Sequence, residues 1–299
     1  MKQRYNYLLT CLAAVFLCSP VVAQVNPLSS MYYQNQYLGN PALAGTEEGL
    51  NANLVYRKQF MQVPGSPSSQ AFTGEYGFNK RVGAGLNINF SKSGLINYAR
   101  VVATYAYHLP LTDNQTMHFG LSLGAAKAYI NNREITGGSY DPAADRYNDR
   151  GAQLDGDFGL AYTGHQLTLQ GAIINIGNYL QTDPNRITGI NYATFFTAAA
   201  YRYDINEQMA AEPKVAYRGI KGVDDIIDAG VKLSYQDKFS LTGLYHTTKN
   251  ATFGFGIDYN NRLAITGMYT TNTADMQGYT SGDFEIGLNL KLTKKRTNH

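Results

Sequence analysis

The stretch from Tyr98 to Ala126 constrains the fold of this chain most, because its apolar and polar residues alternate on both sides of a central turn. In the second half, small or polar residues separate the apolar side chains of Met117, Phe119, Leu121, Leu123 and Ala125. This period of two is typical of a β-strand with one apolar face. Each half is long enough to cross a bilayer, for which a tilted strand needs roughly 9–11 residues. The stretch therefore predicts a hairpin of a membrane-spanning barrel.

Similar alternation recurs along the chain from Leu50 onward. We expect an all-β fold, a transmembrane antiparallel β-barrel of about 14 strands, because an even number of strands suits a closed up-and-down barrel. A helical membrane protein is excluded, because no segment after the apolar run at the N-terminus approaches about eighteen continuous apolar residues. The strand candidates are roughly Leu50–Gln59, Ser69–Phe78, Val82–Phe90, Tyr98–His108, Thr116–Lys127, Gln153–Tyr162, Gln166–Asn175, Ala193–Tyr203, Gln208–Arg218, Ile226–Tyr235, Lys238–Thr247, Ala251–Tyr259, Arg262–Thr270 and Gly282–Leu292.

The connections between these candidates alternate in length. Those after even-numbered strands are short, with modestly longer ones expected at Leu109–Gln115 and Asp204–Glu207. Those after odd-numbered strands are mostly longer, notably Ile130–Ala152, Ile176–Tyr192 and Thr271–Ser281. Bacterial outer-membrane barrels have short periplasmic turns and longer external loops. We therefore expect the short turns and both termini to face the periplasm.

The N-terminus has the features of a cleaved secretory signal peptide. Lys2 and Arg4 precede an apolar run and the small residues that end at Ala23. Cleavage after Ala23 would remove both cysteines, Cys11 and Cys18. Residues 24–49 are aromatic without a clean period, so we expect a short plug-like segment that folds back against or into the barrel. The predicted regions are a signal peptide at 1–23, an N-terminal periplasmic or plug segment at 24–49, the outer-membrane barrel at 50–293 and a basic periplasmic tail at 294–299.

No catalytic motif survives inspection, so we expect no enzyme activity, no cofactor and no metal. The histidines are scattered, and the motifs of metalloproteases, serine hydrolases and phosphate-binding loops are missing. Without Lys2 and Arg4, 23 basic residues face 22 acidic ones, so we expect no nucleic-acid partner. An aspartate cluster raises the alternative of a calcium site, but its spacing is irregular and favours a solvated external loop. Its members are Asp141, Asp145, Asp149, Asp155 and Asp157.

Charged residues lie on the polar parity of the predicted strands. In a barrel this parity faces the lumen, where we expect these groups to pair with one another or to hold the plug. They include Arg57, Glu75, Arg100, Asp155, Asp157, Glu212, Lys214, Arg218 and Lys232. His108 and His118 flank the same turn, so we expect two neighbouring polar side chains near an aqueous rim.

Several motifs, in their order and spacing, resemble the PorP/SprF family of type IX secretion outer-membrane proteins. They are Asn40-Pro41-Ala42-Leu43-Ala44-Gly45, Tyr56-Arg57-Lys58-Gln59-Phe60, Pro64-Gly65-Ser66-Pro67, Gly83-Ala84-Gly85-Leu86, Tyr105–Leu111 and the closing Phe284-Glu285-Ile286-Gly287-Leu288. The likeness spans essentially the mature chain. It implies a barrel in outer-membrane lipid that supports export or surface retention of secreted proteins such as adhesins or gliding proteins. It also implies type IX secretion components as partners, including peptidoglycan-associated periplasmic proteins.

The sequence leaves two functions open. One is this secretion role, for which the family pattern marks Asn40, Pro41, Gly45, Arg57, Gln59, Gly65 and Pro67 as structural or partner-contact candidates. The other is a plugged channel for hydrophobic small molecules, resembling the long-chain fatty-acid transporters, which also pair about fourteen strands with an N-terminal plug. A continuous apolar passage beside the plug would favour the channel.

Overall fold

The alternating stretch forms the two longest strands of the molecule, β4 (Ile96–Thr112) and β5 (Gln115–Ile130). They pair directly, with His108 opposite His118. The computed structural model describes residues 30–61, 63–131, 142–180, 193–272 and 281–292. Within these ranges all strands belong to one antiparallel sheet that closes on itself.

The other strands follow in chain order around the barrel. Closure is made by β15 pairing with β1, from Leu50 opposite Leu292 to Lys58 opposite Phe284. The remaining strands are β1 (Gly49–Lys58), β2 (Ser68–Asn79), β3 (Val82–Ser93), β6 (Gln153–Gly164), β7 (Leu167–Ile174), β8 (Thr194–Tyr201), β9 (Tyr203–Asn206), β10 (Met209–Ile220), β11 (Ile226–Tyr235), β12 (Phe239–His246), β13 (Asn250–Tyr259), β14 (Leu263–Thr270) and β15 (Asp283–Leu292).

The strand segments β8 and β9 lie end to end along the same edge of β10, interrupted at Arg202. They count as one strand, so the barrel has fourteen strands, as the sequence predicts. The turn expected at Asp204–Glu207 lies further along the chain and is shorter, because Asp204–Asn206 belong to β9, which pairs with β10, and only Glu207 and Gln208 separate the two strands. The turn expected at Leu109–Gln115 was also too long. The ladder of β4 and β5 continues past Pro110, with a register shift, and leaves only Asp113 and Asn114 between the strands.

The two faces of the sheet differ as the alternation predicts. On β5, Leu121 and Leu123 are 60% and 68% exposed on the outer face, whereas Ser122 between them is 3% exposed. His118 is likewise buried on the lumen side. Exposing an apolar side chain to lipid tails has no free-energy cost of the kind that exposure to water has. This distribution is therefore typical of a barrel that spans a membrane.

Tight hairpin turns define one end of the barrel. Three of them place both central residues in the left-handed region, with φ values between 48° and 73°. This geometry twists with the flanking strands and is favoured in two-residue hairpins. The central pairs are His165-Gln166, Gln236-Asp237 and Asn260-Asn261. We call this the short-turn end, and the opposite end, which carries most of the longer connections, the long-loop end.

Helical structure is confined to short segments. Three 3₁₀ helices precede β1, at Ser30–Tyr33, Gln36–Leu38 and Pro41–Leu43. Two α-helices lie at the long-loop end, α1 (Pro142–Asn148) and α2 (Ile176–Leu180). Across the described ranges, none of these helices has the length or hydrophobicity to span a bilayer. The predicted signal peptide and basic tail lie outside the described residues.

Candidate functional site: the plugged lumen

Residues 30–45, which we call the plug, lie inside the barrel. Traced backwards from the start of β1 at the short-turn end, the chain passes Gly45 and reaches Ser30 in the half of the lumen nearest the long-loop end. There the amide N–H groups of Ser30 and Met31 donate to the Glu285 carboxylate at 3.0 and 3.2 Å. Almost every plug side chain is buried, and Tyr32 is 1% exposed. The plug therefore fills the middle of the lumen.

The C-terminal half of the plug rests on wall glycines. A Cβ at Gly120 would overlap the backbone of Pro41 and Ala42, and one at Gly83 would overlap that of Ala44. Gly159 lies as close to the side chains of Asn40 and Pro41, and Gly85 to the Tyr37 ring, whereas Gly77 approaches the backbone of Glu47 just beyond the plug. Only a residue without a Cβ permits such contact between a strand and another backbone. We call Gly77, Gly83, Gly85, Gly120 and Gly159 the glycine groove.

Hydrogen bonds also hold the C-terminal half of the plug against the barrel wall. The Asn40 side chain caps the Pro41–Leu43 helix by accepting from Ala42 N at 2.9 Å. Its amide nitrogen donates to the carbonyl of Leu160 at 3.0 Å, which ties the cap to β6. Gly45 has φ +68° and donates its N–H to Glu75 at 2.8 Å. The plug segment is thus held by its own backbone as well as by its side chains.

The N-terminal half of the plug is held by charged side chains. The Tyr32 hydroxyl donates to Asp228 at 2.5 Å, and Asp228 also pairs with Arg218 at 2.7 Å. His246 contacts the same carboxylate and Thr252, which in turn lies 2.7 Å from Thr270. A buried carboxylate needs such partners, because its charge is costly away from water. This cluster anchors Tyr32 to β10–β14.

Aromatic and cationic groups meet beside this cluster. The Tyr33 hydroxyl donates to the carbonyl of Lys214 at 2.7 Å. The Lys214 ammonium, with no hydrogen-bond partner among the described residues, lies 4.6 Å from the centroid of the Tyr33 ring. Such a cation–π contact strengthens when it is desolvated. Burial raises the pKa of Tyr33 and of Tyr37, so both phenols remain neutral hydrogen-bonding groups.

Two further arginine clusters line the wall toward the long-loop end. Arg57 on β1 contacts Asp283 at 2.6 Å and Glu285 at 3.4 Å. Arg100 on β4 reaches across β5 to Asp155 and Asp157 on β6, at 2.7 and 2.6 Å. These pairings confirm that charged groups on the lumen parity pair with one another. Two of the aspartates considered for calcium therefore belong to an arginine cluster, and the described residues contain no metal-binding group of three or more side chains.

The polar residues predicted to face the lumen also include the histidine pair. The Nδ1 atoms of His108 and His118 lie 2.8 Å apart, and His118 Nε2 lies 2.8 Å from Thr163 Oγ1. Both rings border a cavity of about 790 Å³ on the short-turn side of the plug. Polar and charged side chains surround it, including Glu75, Lys232 and Asn289. A polar vestibule thus leads from the short-turn end to the plug.

The seven candidate residues fall into two groups. Asn40, Pro41 and Gly45 belong to the plug, whereas the other four lie where the connection from β1 to β2 begins and ends. Gln59 N donates to the carbonyl of Pro67 at 2.9 Å, and its side chain reaches Asp283 at 3.3 Å. Gly65 has φ +72°, and its carbonyl accepts from Gly94 N. Glu285 links the groups, because it contacts Arg57 and the first plug residues.

Sequence reasoning did not find several residues of this arrangement. It missed Asp228, His246 and Glu285, although their position on the lumen parity was a usable signal. The partners of the plug tyrosines Tyr32 and Tyr33 lie on distant strands and could not be predicted without the barrel register.

The sequence of residues 21–290 matches the family model described as type IX secretion system membrane protein PorP/SprF. The chain belongs to the PorP/SprF family. This confirms the resemblance carried by the plug and β1 motifs. The membership places the barrel among membrane proteins of that secretion system, and the fold agrees with an outer-membrane location. A search of curated proteins finds no match.

Solved structures similar to this PorP/SprF protein are outer-membrane barrels. The CymD monoaromatic hydrocarbon channel has a TM-score of 0.51 at 11% identity, covering 91% of this chain and 95% of that one. Omp33 of Acinetobacter baumannii has a TM-score of 0.48 at 9% identity, with 83% and 100% covered. A Pseudomonas aeruginosa FadL homologue has a TM-score of 0.46 at 10% identity, with 84% and 92% covered. At these identities the CymD likeness shows the fold alone.

Proposed function

We propose that this protein is a non-catalytic outer-membrane component of the type IX secretion system that supports export or surface retention of substrate proteins such as adhesins or gliding proteins. Family membership over nearly the whole chain carries the proposal. The closed, plugged barrel supports it, because a lumen filled by residues 30–45 leaves no passage for a folded protein in this state. The protein would act through its two ends rather than as the conduit.

The proposed orientation places the short-turn end and both termini in the periplasm after removal of residues 1–23. In this orientation the vestibule and tight turns would face periplasmic machinery, including peptidoglycan-associated proteins. The β1–β2 connection with Gly65 and Pro67 would face outward, toward substrates. The asymmetry of connection lengths supports this assignment.

The lining of the lumen gives the hydrophobic channel no comparable support. The described cavity beside the plug is bordered by charged and amide side chains, such as Glu75, Lys232 and Asn289. The layer toward the long-loop end is occupied by arginine–carboxylate clusters. An apolar solute would have to displace buried ion pairs there, which is unfavourable.

Deletion of the gene tests the proposal. We expect particular secreted or surface-held proteins to disappear from the cell exterior, and complementation with the wild-type gene to restore them. Quantitative proteomics of medium, shaved surface and periplasm would measure this. Uptake of a monoaromatic hydrocarbon, measured in the same strains, should not change. An unchanged exterior proteome together with reduced uptake would overturn the secretion role in favour of the channel.

A further inference from the structure

The outer face of the barrel carries three charged side chains in the strands that the structure describes, and all three are lysines. They are Lys58 on β1, Lys92 on β3 and Lys127 on β5, which we call the basic rim. Each continues the outward parity of its strand, after Tyr56, Phe90 and Ala125 respectively. Every other outward position in these strands is apolar, glycine or uncharged.

The strand register brings these lysines together. Lys58 lies opposite Ser68, Ser68 opposite Lys92, and Lys92 opposite Asn97. One row below, Gln70 pairs with Phe90, Phe90 with Ala99, and Ala99 with Lys127. With strands about 4.8 Å apart, neighbouring lysines of the rim have Cα atoms roughly 10–12 Å apart. Lys58 Nζ donates to the carbonyl of Ser66 at 2.9 Å, and its ammonium group has further N–H donors that a headgroup can use.

The basic rim lies at the border of the apolar band. On β5, outward residues are apolar from Met117 to Ala125, and Lys127 follows directly. On β3 the same change occurs between Phe90 and Lys92. A lysine is costly in the middle of the lipid face but tolerated at the interface, where headgroups begin. The rim is therefore placed at the level of lipid headgroups on the long-loop side.

The rest of this border has a different character. On the other strands, the last outward residues toward the long-loop end are uncharged, and on most of them they are large and apolar or aromatic. Examples are Leu154, Phe195, Ile227, Tyr245 and Phe284, each 39–79% exposed. These residues suit a lipid interface without selecting a charged headgroup. The positive charge is thus confined to one side of the barrel, β1 to β5.

We propose that the basic rim binds the phosphate groups of a phosphorylated glycolipid of the outer leaflet, with Ser68, Gln70 and Asn97 offering neighbouring hydrogen bonds. Charge complementarity selects the phosphate, because the outward face of β1–β5 holds three lysines and no acidic side chain in the described strands. The outer-leaflet assignment rests on the proposed orientation, with the long-loop end outside.

Lipid capture by the purified barrel tests this site. Wild-type protein in phosphatidylcholine nanodiscs would be titrated with lipid A, dephosphorylated lipid A and phosphatidylglycerol, and bound lipid counted by native mass spectrometry. The K92Q/K127Q variant should bind lipid A roughly 10- to 30-fold more weakly than wild type. The control K249Q removes a lysine from the turn before β13, at the same end but three strands away from β1, and should bind normally.

Three outcomes would overturn the proposal. They are equal lipid A binding by wild type and K92Q/K127Q, equal binding of dephosphorylated lipid A, or equal binding of phosphatidylglycerol. Labelling of a Lys249→Cys variant on intact cells checks the side of the membrane, and reaction only from the periplasm would overturn the outer-leaflet assignment. None of these readouts depends on secretion, so the site and the secretion role fail separately.

Discussion

The glycine groove predicts that a single methyl group will loosen the plug. In Gly120→Ala, the new Cβ overlaps the backbone nitrogen of Ala42 and the carbonyl carbon of Pro41. Neither atom belongs to a flexible side chain, so the plug backbone must move away by about 1 Å to restore normal contact. Overpacking of this kind costs about 1–3 kcal/mol. The closed barrel ladder of β4, β5 and β6 is the stiffer partner, so we expect the plug to move.

Amide hydrogen exchange measures this change directly. The N–H groups of Leu43 and Ala44 close the 3₁₀ helix at 3.2 Å, and that of Gly45 donates to Glu75. If the strain appears as local opening, their exchange should accelerate about 5- to 150-fold, since each 1.4 kcal/mol is about tenfold. Gly267→Ala is the matched control, because its Cβ would meet no atom within 4 Å. Unchanged exchange in a folded Gly120→Ala barrel would refute the reasoning.

Three further predictions concern the clusters and the orientation. Asp228→Asn leaves Arg218 without its buried counter-charge and should lower the free energy of unfolding by about 3–5 kcal/mol, whereas Asp204→Asn, in an exposed pair with Arg202, should cost less than about 1 kcal/mol. Equal shifts of the urea midpoints would contradict this. Tyr33→Phe removes the bond to the Lys214 carbonyl and should weaken the plug by about 1 kcal/mol. In this variant amide hydrogen exchange should become faster near Ser30–Tyr33 but not at Ala44. Faster exchange at both places would show that the plug opens as one unit. Finally, an impermeant thiol reagent should label Lys249→Cys on intact cells but Asn261→Cys only after permeabilisation, and the reverse pattern would invert the proposed orientation.

Much of the barrel wall was predictable because parity is a local property. A residue such as Leu121 or Ser122 faces lipid or lumen according to its position in the alternation, and burial confirms both. Partners were not predictable, because they depend on register between strands. Arg100 meets aspartates two strands away, and Arg57 meets Asp283 across the closure of the barrel. Neither pairing has a local signal in the sequence.

The ends of the strands were harder to predict than their existence. Pro110 and Asp204 are typical turn residues, yet both lie within a hydrogen-bonded ladder. Pro110 is tolerated there because it has the parity of His108, whose N–H points toward the β3 side, and the pairing with β3 ends at Tyr107, so no ladder donor is lost. The turn propensity of a residue has little influence where two strands already pair, because a turn there would deprive backbone N–H and C=O groups of their hydrogen-bond partners. The same pairing explains why β4 and β5 extend beyond the predicted alternating stretch.

The two halves of the plug differ in how they are held, and this difference bears on function. Residues 40–45 contact strand backbone through the glycine groove, so removing them would expose backbone shaped for no other occupant. Residues 30–33 are held instead by the carboxylates of Glu285 and Asp228 and by the carbonyl of Lys214, groups that can equally bind water or another polar chain. Any opening of the lumen should therefore begin at the N-terminal half of the plug, while residues 40–45 stay bound to the wall. In the described residues, ion pairs line the wall toward the long-loop end, whereas a polar cavity lies on the short-turn side of the plug, so the two ends of the lumen differ in chemistry.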